Sequence, residues 1–167
     1  PLIFISIELI QFKYLPEFDP YYFLAISNNI IKNGFVPLND NPIFIDSKFT
    51  YPPLLVILVS YFSIISGIST YSLFKFGTIF FFILTGLLFF ILSKRLLENE
   101  KKALISTFIF LCLPYTLSKN TITLSENLLI IFILLLMYIG IQINKKEDLI
   151  LLLLIFFITF MTHVFSF

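Results

Sequence analysis

The sequence predicts an all-α protein, a polytopic bundle of transmembrane helices with a long external loop that carries interfacial helices. Hydrophobic residues make up 59% of the 167 residues, and only 13% are charged. The mean hydropathy is +1.01. A soluble domain of this length exposes too much surface to bury so large an apolar fraction, so the expected solvent is lipid. The net charge of +1 provides no basic surface for nucleic acid, and no nucleic-acid partner is expected.

The chain begins and ends within apolar runs, which predicts a fragment of a longer polytopic protein. Residues 1–12 are interpreted as the end of a first transmembrane helix, and residues 13–71 as the external loop. Ordered connections of this length are uncommon and usually have a function. Two interfacial helices are predicted within the loop, at 20–33 and 53–67. The single cysteine, Cys112, excludes an intramolecular disulfide.

The remaining apolar runs predict four transmembrane helices, at residues 72–93, 103–117, 127–143 and 149–167. Charge indicates their direction, because basic residues collect in cytoplasmic loops. Six of the eleven basic residues fall in two short connections: Lys94, Arg95, Lys101, Lys102, Lys145 and Lys146. With both of these connections in the cytoplasm, the short loop 118–126 lies outside.

The apolar run 54–67 decides on which side of the membrane the long loop begins. A transmembrane helix needs about 20 apolar residues, and runs of about 10–14 are more often interfacial or re-entrant. If this run lies in the interface, Asp19 and Glu126 share the outer face of the membrane. If the run crosses, the two acids lie on opposite sides. Length and charge leave both arrangements open, and we favour the interfacial one.

Asp19 and Glu126 are the candidate catalytic and metal-binding residues, and each also has a purely structural interpretation. In "EFDPYYF" Asp19 precedes Pro20, a pair that is typical of a helix start. In "TLSE" Glu126 completes a capping box with Thr123. Capping accounts for either residue alone. Two carboxylates fixed at helix ends beside a membrane can also bind a hard divalent cation, Mg²⁺ or Mn²⁺, or one can act as a general base.

Three further residues are candidates for a binding site. Tyr51, in "FTYPPLL", lies where the long loop returns to the apolar layer. Lys119 is either an interfacial lysine whose amine reaches water or a phosphate contact. His163 is the only histidine and lies within an apolar run, where ionisable side chains are often functional. It is also near a helix end, where its ring can reach water.

These motifs resemble the GT-C superfamily of membrane glycosyltransferases, which use sugars carried on polyprenyl phosphate or pyrophosphate. The stretch "EFDPYYF" is similar to the acidic motif of the catalytic subunit of oligosaccharyltransferase, and "TYPPLL" looks like the end of its first external loop. Pro114, Lys119 and Glu126 keep the spacing of the superfamily's second acidic motif. Protein O-mannosyltransferases and aminoarabinose transferases are more distant relatives. The resemblance spans residues 8–143 and implies that 54–67 does not cross the membrane.

The resemblance implies a function and a role for each of these residues. The chain would be a GT-C-like core that transfers a sugar or oligosaccharide from a polyprenyl (pyro)phosphate-linked donor to a protein or lipid acceptor. The site would lie on the extracytoplasmic side of a prokaryotic plasma membrane. Asp19 would bind the metal or act as the base, and Glu126 would be the second ligand or an electrostatic partner. Lys119 and Tyr51 would contact the donor. His163 lies outside the resemblance, and its place in an apolar run makes it a third candidate for donor binding. Lys119 stands where arginine is usual, and the chain lacks the tryptophans of the oligosaccharyltransferase acceptor motif.

Two other classes of protein fit the same composition. A transporter fragment is disfavoured because transporters typically have helices broken near mid-membrane, whereas the charges here lie at helix ends. A non-enzymatic membrane protein would use both carboxylates as helix caps alone.

Overall fold

The computed structural model describes residues 19–36, 54–113, 125–142 and 146–163, and within these ranges the chain is helical and contains no strand. This confirms the all-α class. The helices are α1 (Asp19–Asn33), α2 (Leu54–Ser66), α3 (Thr70–Leu97), α4 (Glu100–Cys112), α5 (Ser125–Gln142) and α6 (Lys146–His163). Among the described residues, one helix, α3, is long and apolar enough to cross a membrane.

Glycines end the first two helices. Gly34 has a φ of 77°, and its N–H donates to the carbonyl of Ile30 at 2.8 Å. Gly67 has a φ of 70° and donates to the carbonyl of Ser63 at 2.9 Å. A residue with a Cβ adopts this left-handed conformation only at a cost, so glycine is the usual residue just beyond a helix end. The interfacial helices predicted at 20–33 and 53–67 correspond to α1 and α2.

Helix α3 is longer than the predicted span 72–93, because polar residues at both ends belong to it. At its start, the Ser69 side chain accepts a hydrogen bond from the backbone N–H of Ser72. At its end, Lys94 and Arg95 are in the last helical turn. Cations there are stabilised by the negative end of the helix dipole, so the two residues are helical rather than part of a loop.

Helix α4 begins earlier and ends earlier than the predicted span 103–117. Asn99 caps its start by accepting from the N–H of Lys102 at 3.1 Å. Its last helical residue is Cys112, and Leu113 is extended, with φ −60° and ψ 136°. Pro114 follows in the sequence, and the ring of a proline disfavours the helical conformation in the residue before it. The helix therefore has 13 residues, a rise of about 20 Å.

Helices α5 and α6 also begin before the predicted starts at 127 and 149. Helix α5 begins at Ser125, so Glu126 is in its first turn and not in the loop 118–126. Thr123, the other member of the predicted capping box, lies outside the described residues. Helix α6 begins at Lys146, and its first turn contains Asp148. An acidic residue there is stabilised by the positive end of the helix dipole.

A cluster of buried apolar side chains joins α1, α2, α3 and α5, and we call it the four-helix cluster. Its members are Tyr22, Phe23, Ile26, Leu55, Val56, Val59, Phe74 and Leu128. Side chains in such a cluster stabilise the fold through close packing rather than through any single contact. The cluster therefore fixes the two helices of the long loop to the starts of α3 and α5.

Helices α3 and α4 form an antiparallel hairpin with close contacts along its seam. The rings of Phe89 and Phe110 stack, with centroids 4.0 Å apart and an interplanar angle of 1°. One turn along, a Cβ built on Gly86 would lie 3.1 Å from Cδ1 of Leu111. Glycine at position 86 thus allows the two helices to approach.

We expect Gly86→Ile to destabilise the hairpin by about 1–3 kcal/mol, because the branched side chain would overlap Leu111 and force the helices apart. Gly140→Ile is the matched control. A Cβ at Gly140 lies 3.8 Å from Cδ1 of Leu152, an ordinary contact, and Gly140 is exposed. Thermal unfolding followed by circular dichroism measures both. A midpoint for Gly86→Ile as high as that of the control would contradict the close approach.

The surface of α3 is arranged in the opposite way to that of a helix in a soluble protein. Its buried face alternates threonine and phenylalanine: Thr70, Phe74, Thr78, Phe82 and Thr85. Its exposed face consists of large apolar side chains: Phe76, Phe80, Ile83, Leu87 and Ile91. In a water-facing helix the charged and polar residues occupy the outer face. Here the hydroxyl groups of threonine lie on the buried face together with phenyl groups, and the exposed face is entirely apolar at these positions.

Candidate functional site

The two candidate acids lie at helix starts. Asp19 is the first residue of α1, and its carboxylate lies outside the described part of the structure. Glu126 is the second residue of α5 and is half-buried. The N–H groups of a helix start give it a partial positive charge, which stabilises a carboxylate or a phosphate nearby. Each acid is therefore in a position that suits an anion.

The four-helix cluster connects these two helix starts. Tyr22 and Phe23 of α1 belong to it, as does Leu128 of α5. Along the helix axes Tyr22 is about 4.5 Å from Asp19, and Leu128 is about 3 Å from Glu126. Each acidic position is thus within about one helical turn of the same buried cluster. Although more than a hundred residues separate them in sequence, the starts of α1 and α5 both adjoin this cluster.

Buried hydrogen bonds hold α1 against α2. The Ser60 hydroxyl of α2 donates across the contact to the carbonyl of Ser27 at 3.2 Å. Within α2 it also lies 2.6 Å from the carbonyl of Val56. The Ser27 hydroxyl also points to the carbonyl of Val56, at 3.4 Å. Hydrogen bonds in a dry environment are electrostatically stronger than in water. These contacts fix the rotation and position of α1 along α2.

A further hydrogen bond fixes α1 to α3. The hydroxyl of Thr70, the first residue of α3, donates to Oδ1 of Asn28 at 2.6 Å. Thr70 is buried, whereas Asn28 is exposed at the edge of the contact. Together with the serine contacts to α2, this bond makes α1 a fixed part of the assembly.

The second half of α1 contains five polar residues, Ser27, Asn28, Asn29, Lys32 and Asn33, and such a pattern predicts one exposed polar face. Ser27 is instead completely buried, because its hydroxyl and carbonyl both take part in the contact with α2. The other four are exposed or half-buried, and the Asn33 amide donates to Oδ1 of Asn29.

The candidate donor-binding residues are described only in part. Tyr51 and Lys119 lie outside the described residues, and so does the side chain of His163. The backbone of His163 ends α6. Helices α5 and α6 have 18 residues each, pack along their lengths and are separated by three residues in sequence. They are therefore antiparallel, and His163 is at the same end of the hairpin as Glu126.

Asn127, next to Glu126, has no place in the sequence-based prediction. It is completely buried, although it carries a polar amide in the first turn of an apolar helix. A polar side chain at the start of a long apolar run is itself a signal, because its burial is costly unless it has polar contacts. Asn127 therefore belongs to the set of polar residues at this end of the helices.

A divalent cation at this site would depend on few protein ligands. Among the described side chains, no three of the types His, Cys, Asp and Glu come together. Mg²⁺ is commonly held by one or two carboxylates together with substrate phosphates and water. Two acids at neighbouring helix starts fit that kind of site and do not fit a metal cage made of protein alone.

No protein-family model, curated protein or solved structure matches this chain. The functional interpretation therefore depends on the residues, their motifs and the geometry described above.

Proposed function

We propose that this chain is the helical core of a membrane glycosyltransferase of the GT-C type. It transfers a sugar or oligosaccharide from a polyprenyl (pyro)phosphate-linked donor to a protein or lipid acceptor on the extracytoplasmic side of a prokaryotic plasma membrane. The observation that carries the proposal is the four-helix cluster, which contains Tyr22 and Phe23 near Asp19, and Leu128 near Glu126. Because both helix starts adjoin one buried cluster, this packing supports a joint site for the two acidic motifs.

The distribution of side chains supports insertion of several helices into lipid. Large apolar side chains are exposed on α4 and α6 as well as on α3, including Phe108 at 63% and Ile150 at 67%. Soluble monomers rarely expose contiguous apolar patches larger than a few hundred Å². Conversely, hydroxyl residues such as Thr78 and Thr107 are buried between helices, as is common in membrane bundles, where small and polar residues form the interfaces.

The packing of α2 supports an interfacial or re-entrant position for that helix. Its length does not decide this, because α2 and α4 both have 13 residues and rise about 20 Å. Its hydrogen bonds and apolar contacts fix it to α1, which carries exposed Lys32 and Asn33 at its end. Helices α1 and α2 then form one layer at the membrane surface, with Asp19 and Glu126 on the same side.

The reaction assigned to this site is a displacement at the anomeric carbon of the donor sugar. A carboxylate, with Asp19 as the first choice, accepts the proton of the acceptor hydroxyl or amide as that group bonds to the anomeric carbon. The bond from this carbon to the phosphate oxygen breaks, and the polyprenyl (pyro)phosphate leaves with the bonding electron pair. Glu126 stabilises positive charge in the site by its own negative charge. A positioned base contributes about 10²–10⁴-fold to such a rate.

Mg²⁺ or Mn²⁺, held by Asp19 and Glu126, would offset the charge of the leaving phosphate. With a metal held by both carboxylates, the proton of the acceptor would pass to water instead of to Asp19. The partial positive charges of the starts of α1 and α5 also favour the phosphate. We assign Lys119, Tyr51 and His163 to the donor, with Lys119 contacting its phosphate.

The proposal is tested by a transfer assay with the full-length protein in lipid vesicles. The donor is a radiolabelled sugar on polyprenyl phosphate or pyrophosphate, and acceptor proteins and lipids come from extracted membranes. We expect label to move to protein or lipid, to fall at least about tenfold with a chelator and to recover with Mg²⁺ or Mn²⁺. Folded protein that moves no label from either donor would contradict the proposal.

A further inference from the structure

The turn between α3 and α4 carries a concentrated group of exposed basic side chains. Lys94 and Arg95 are in the last turn of α3, and Lys101 and Lys102 are in the first turn of α4. All of them are exposed, as are the nearby acids. Four cations with only Glu98 and Glu100 as anions give this turn a net charge of +2.

The turn holds these charges in fixed places. Glu98 adopts the left-handed conformation with φ 50°, and its N–H donates to the carbonyl of Lys94 at 3.1 Å. Asn99 caps α4 through its bond from the N–H of Lys102 at 3.1 Å. Lys94 forms an exposed ion pair with Glu100 at 3.3 Å. The pair leaves Arg95, Lys101 and Lys102 as the cations that are available to a ligand within the described turn.

The spacing of charges along α3 places this turn at the level of lipid headgroups. No charged residue occurs between Lys75 and Lys94. The helix rises about 28 Å between them, which is close to the hydrocarbon thickness of about 30 Å. The Lys75 amine lies 5.7 Å from the ring centroid of Phe76, and the Lys94 amine lies 5.9 Å from that of Phe90. Each lysine thus lies against a phenyl ring at one end of the apolar segment, as interfacial lysines do.

Exposed apolar side chains adjoin the basic turn. Leu96 and Leu97 lie between Arg95 and Glu98, and Leu104 and Ile105 follow Lys102. Each of the four is between 44% and 61% exposed. A surface of cations beside exposed alkyl groups is complementary to a molecule with a phosphate head and acyl chains. We propose that the α3–α4 turn binds the headgroups of anionic phospholipids, with Arg95, Lys101 and Lys102 contacting the phosphodiester. This requires that α3 crosses a bilayer and is independent of sugar transfer.

Trp fluorescence can measure this lipid preference directly, because the chain contains no Trp of its own. Leu104→Trp places a reporter beside the turn, and Phe80→Trp places a control in the middle of α3, at an exposed position. The full chain is reconstituted in vesicles of equal parts phosphatidylglycerol and phosphatidylcholine, with one lipid or the other brominated on its acyl chains. Each positive charge near an anionic surface favours the anionic lipid about fivefold. With one or both of the two net positive charges of the turn effective, the preference at Leu104→Trp should be roughly 5- to 25-fold at low salt.

The control at Phe80→Trp should be quenched equally by both lipids. In the Leu104→Trp background, Arg95→Gln with Lys101→Gln and Lys102→Gln should reduce the preference to near unity. Lys75→Gln, which removes a charge at the other end of α3, should leave it unchanged. A blue-shifted emission maximum shows that each variant is inserted.

Four results would overturn the proposal. The first is equal quenching of Leu104→Trp by both lipids at low salt, and the second is an undiminished preference after the triple substitution. The third is loss of the preference on adding inorganic phosphate at constant ionic strength, which would identify free phosphate as the ligand. None of these three bears on sugar transfer. The fourth is absence of quenching at Phe80→Trp, which would show that α3 does not cross a bilayer and would also contradict the membrane placement in the proposed function.

Discussion

Replacing Asp19 by Asn, or Glu126 by Gln, is expected to lower the rate of sugar transfer by at least about 100-fold while leaving the helices intact. Removing a positioned base or a metal ligand costs about 10²–10⁴-fold. The full-length protein in vesicles, with the same radiolabelled polyprenyl-linked donor, gives the rates. Circular dichroism shows whether each variant keeps its helix content.

These two substitutions separate catalysis from capping. Asn caps a helix start about as well as Asp, and Gln serves in a capping box as Glu does. Asp19→Asn and Glu126→Gln therefore remove the negative charge and keep a side chain that is able to cap the helix. Asp19→Ala removes both, and should in addition reduce stability by about 1 kcal/mol.

Glu98→Gln is the matched control, because it makes the same change at an exposed position in the α3–α4 turn, at the other end of α3. We expect it to retain near-normal transfer. If Asp19→Asn or Glu126→Gln were as active as Glu98→Gln, that acid would be a helix cap and nothing more.

Local signals in the sequence account well for where several helices end. Gly34 and Gly67 follow α1 and α2, and both have the positive φ that favours glycine there. Pro114 ends α4 at Cys112, although the apolar composition continues to 117. Hydropathy alone overestimates this helix, because composition does not record the steric effect of a proline on the residue before it.

Charged residues mislead a prediction based on hydropathy at the opposite ends. Lys94 and Arg95 interrupt the apolar run, yet they extend α3 because the helix dipole stabilises cations in the last turn. Asp148 similarly belongs to α6. Each of these helices therefore continues about one turn beyond its apolar segment.

Contacts between segments that are distant in sequence cannot be predicted from the sequence alone. Ser27 has polar neighbours in sequence and looks exposed, but Val56 and Ser60 of α2 surround it. The joint position of Tyr22 and Leu128 likewise depends on packing among four helices. Periodicity indicates which face of a helix is apolar, but it does not identify the helix that covers that face.

Side-specific labelling of single cysteines tests the shared face of the two acidic motifs most directly. The background is free of native cysteines, and Cys112→Ser removes the one cysteine of this sequence. Lys32→Cys reports on α1, where Lys32 is exposed in the last turn. Thr121→Cys reports on the sequence just before Glu126. Lys101→Cys, exposed in the α3–α4 turn, is the matched control for the opposite side.

A membrane-impermeant maleimide is applied to intact cells that produce the full-length protein. We predict that the cysteines at 32 and 121 react without permeabilisation, whereas the cysteine at 101 reacts only after it. Reaction of only one of the first two in intact cells would place Asp19 and Glu126 on opposite sides of the membrane, and a joint glycosyltransferase site would be impossible.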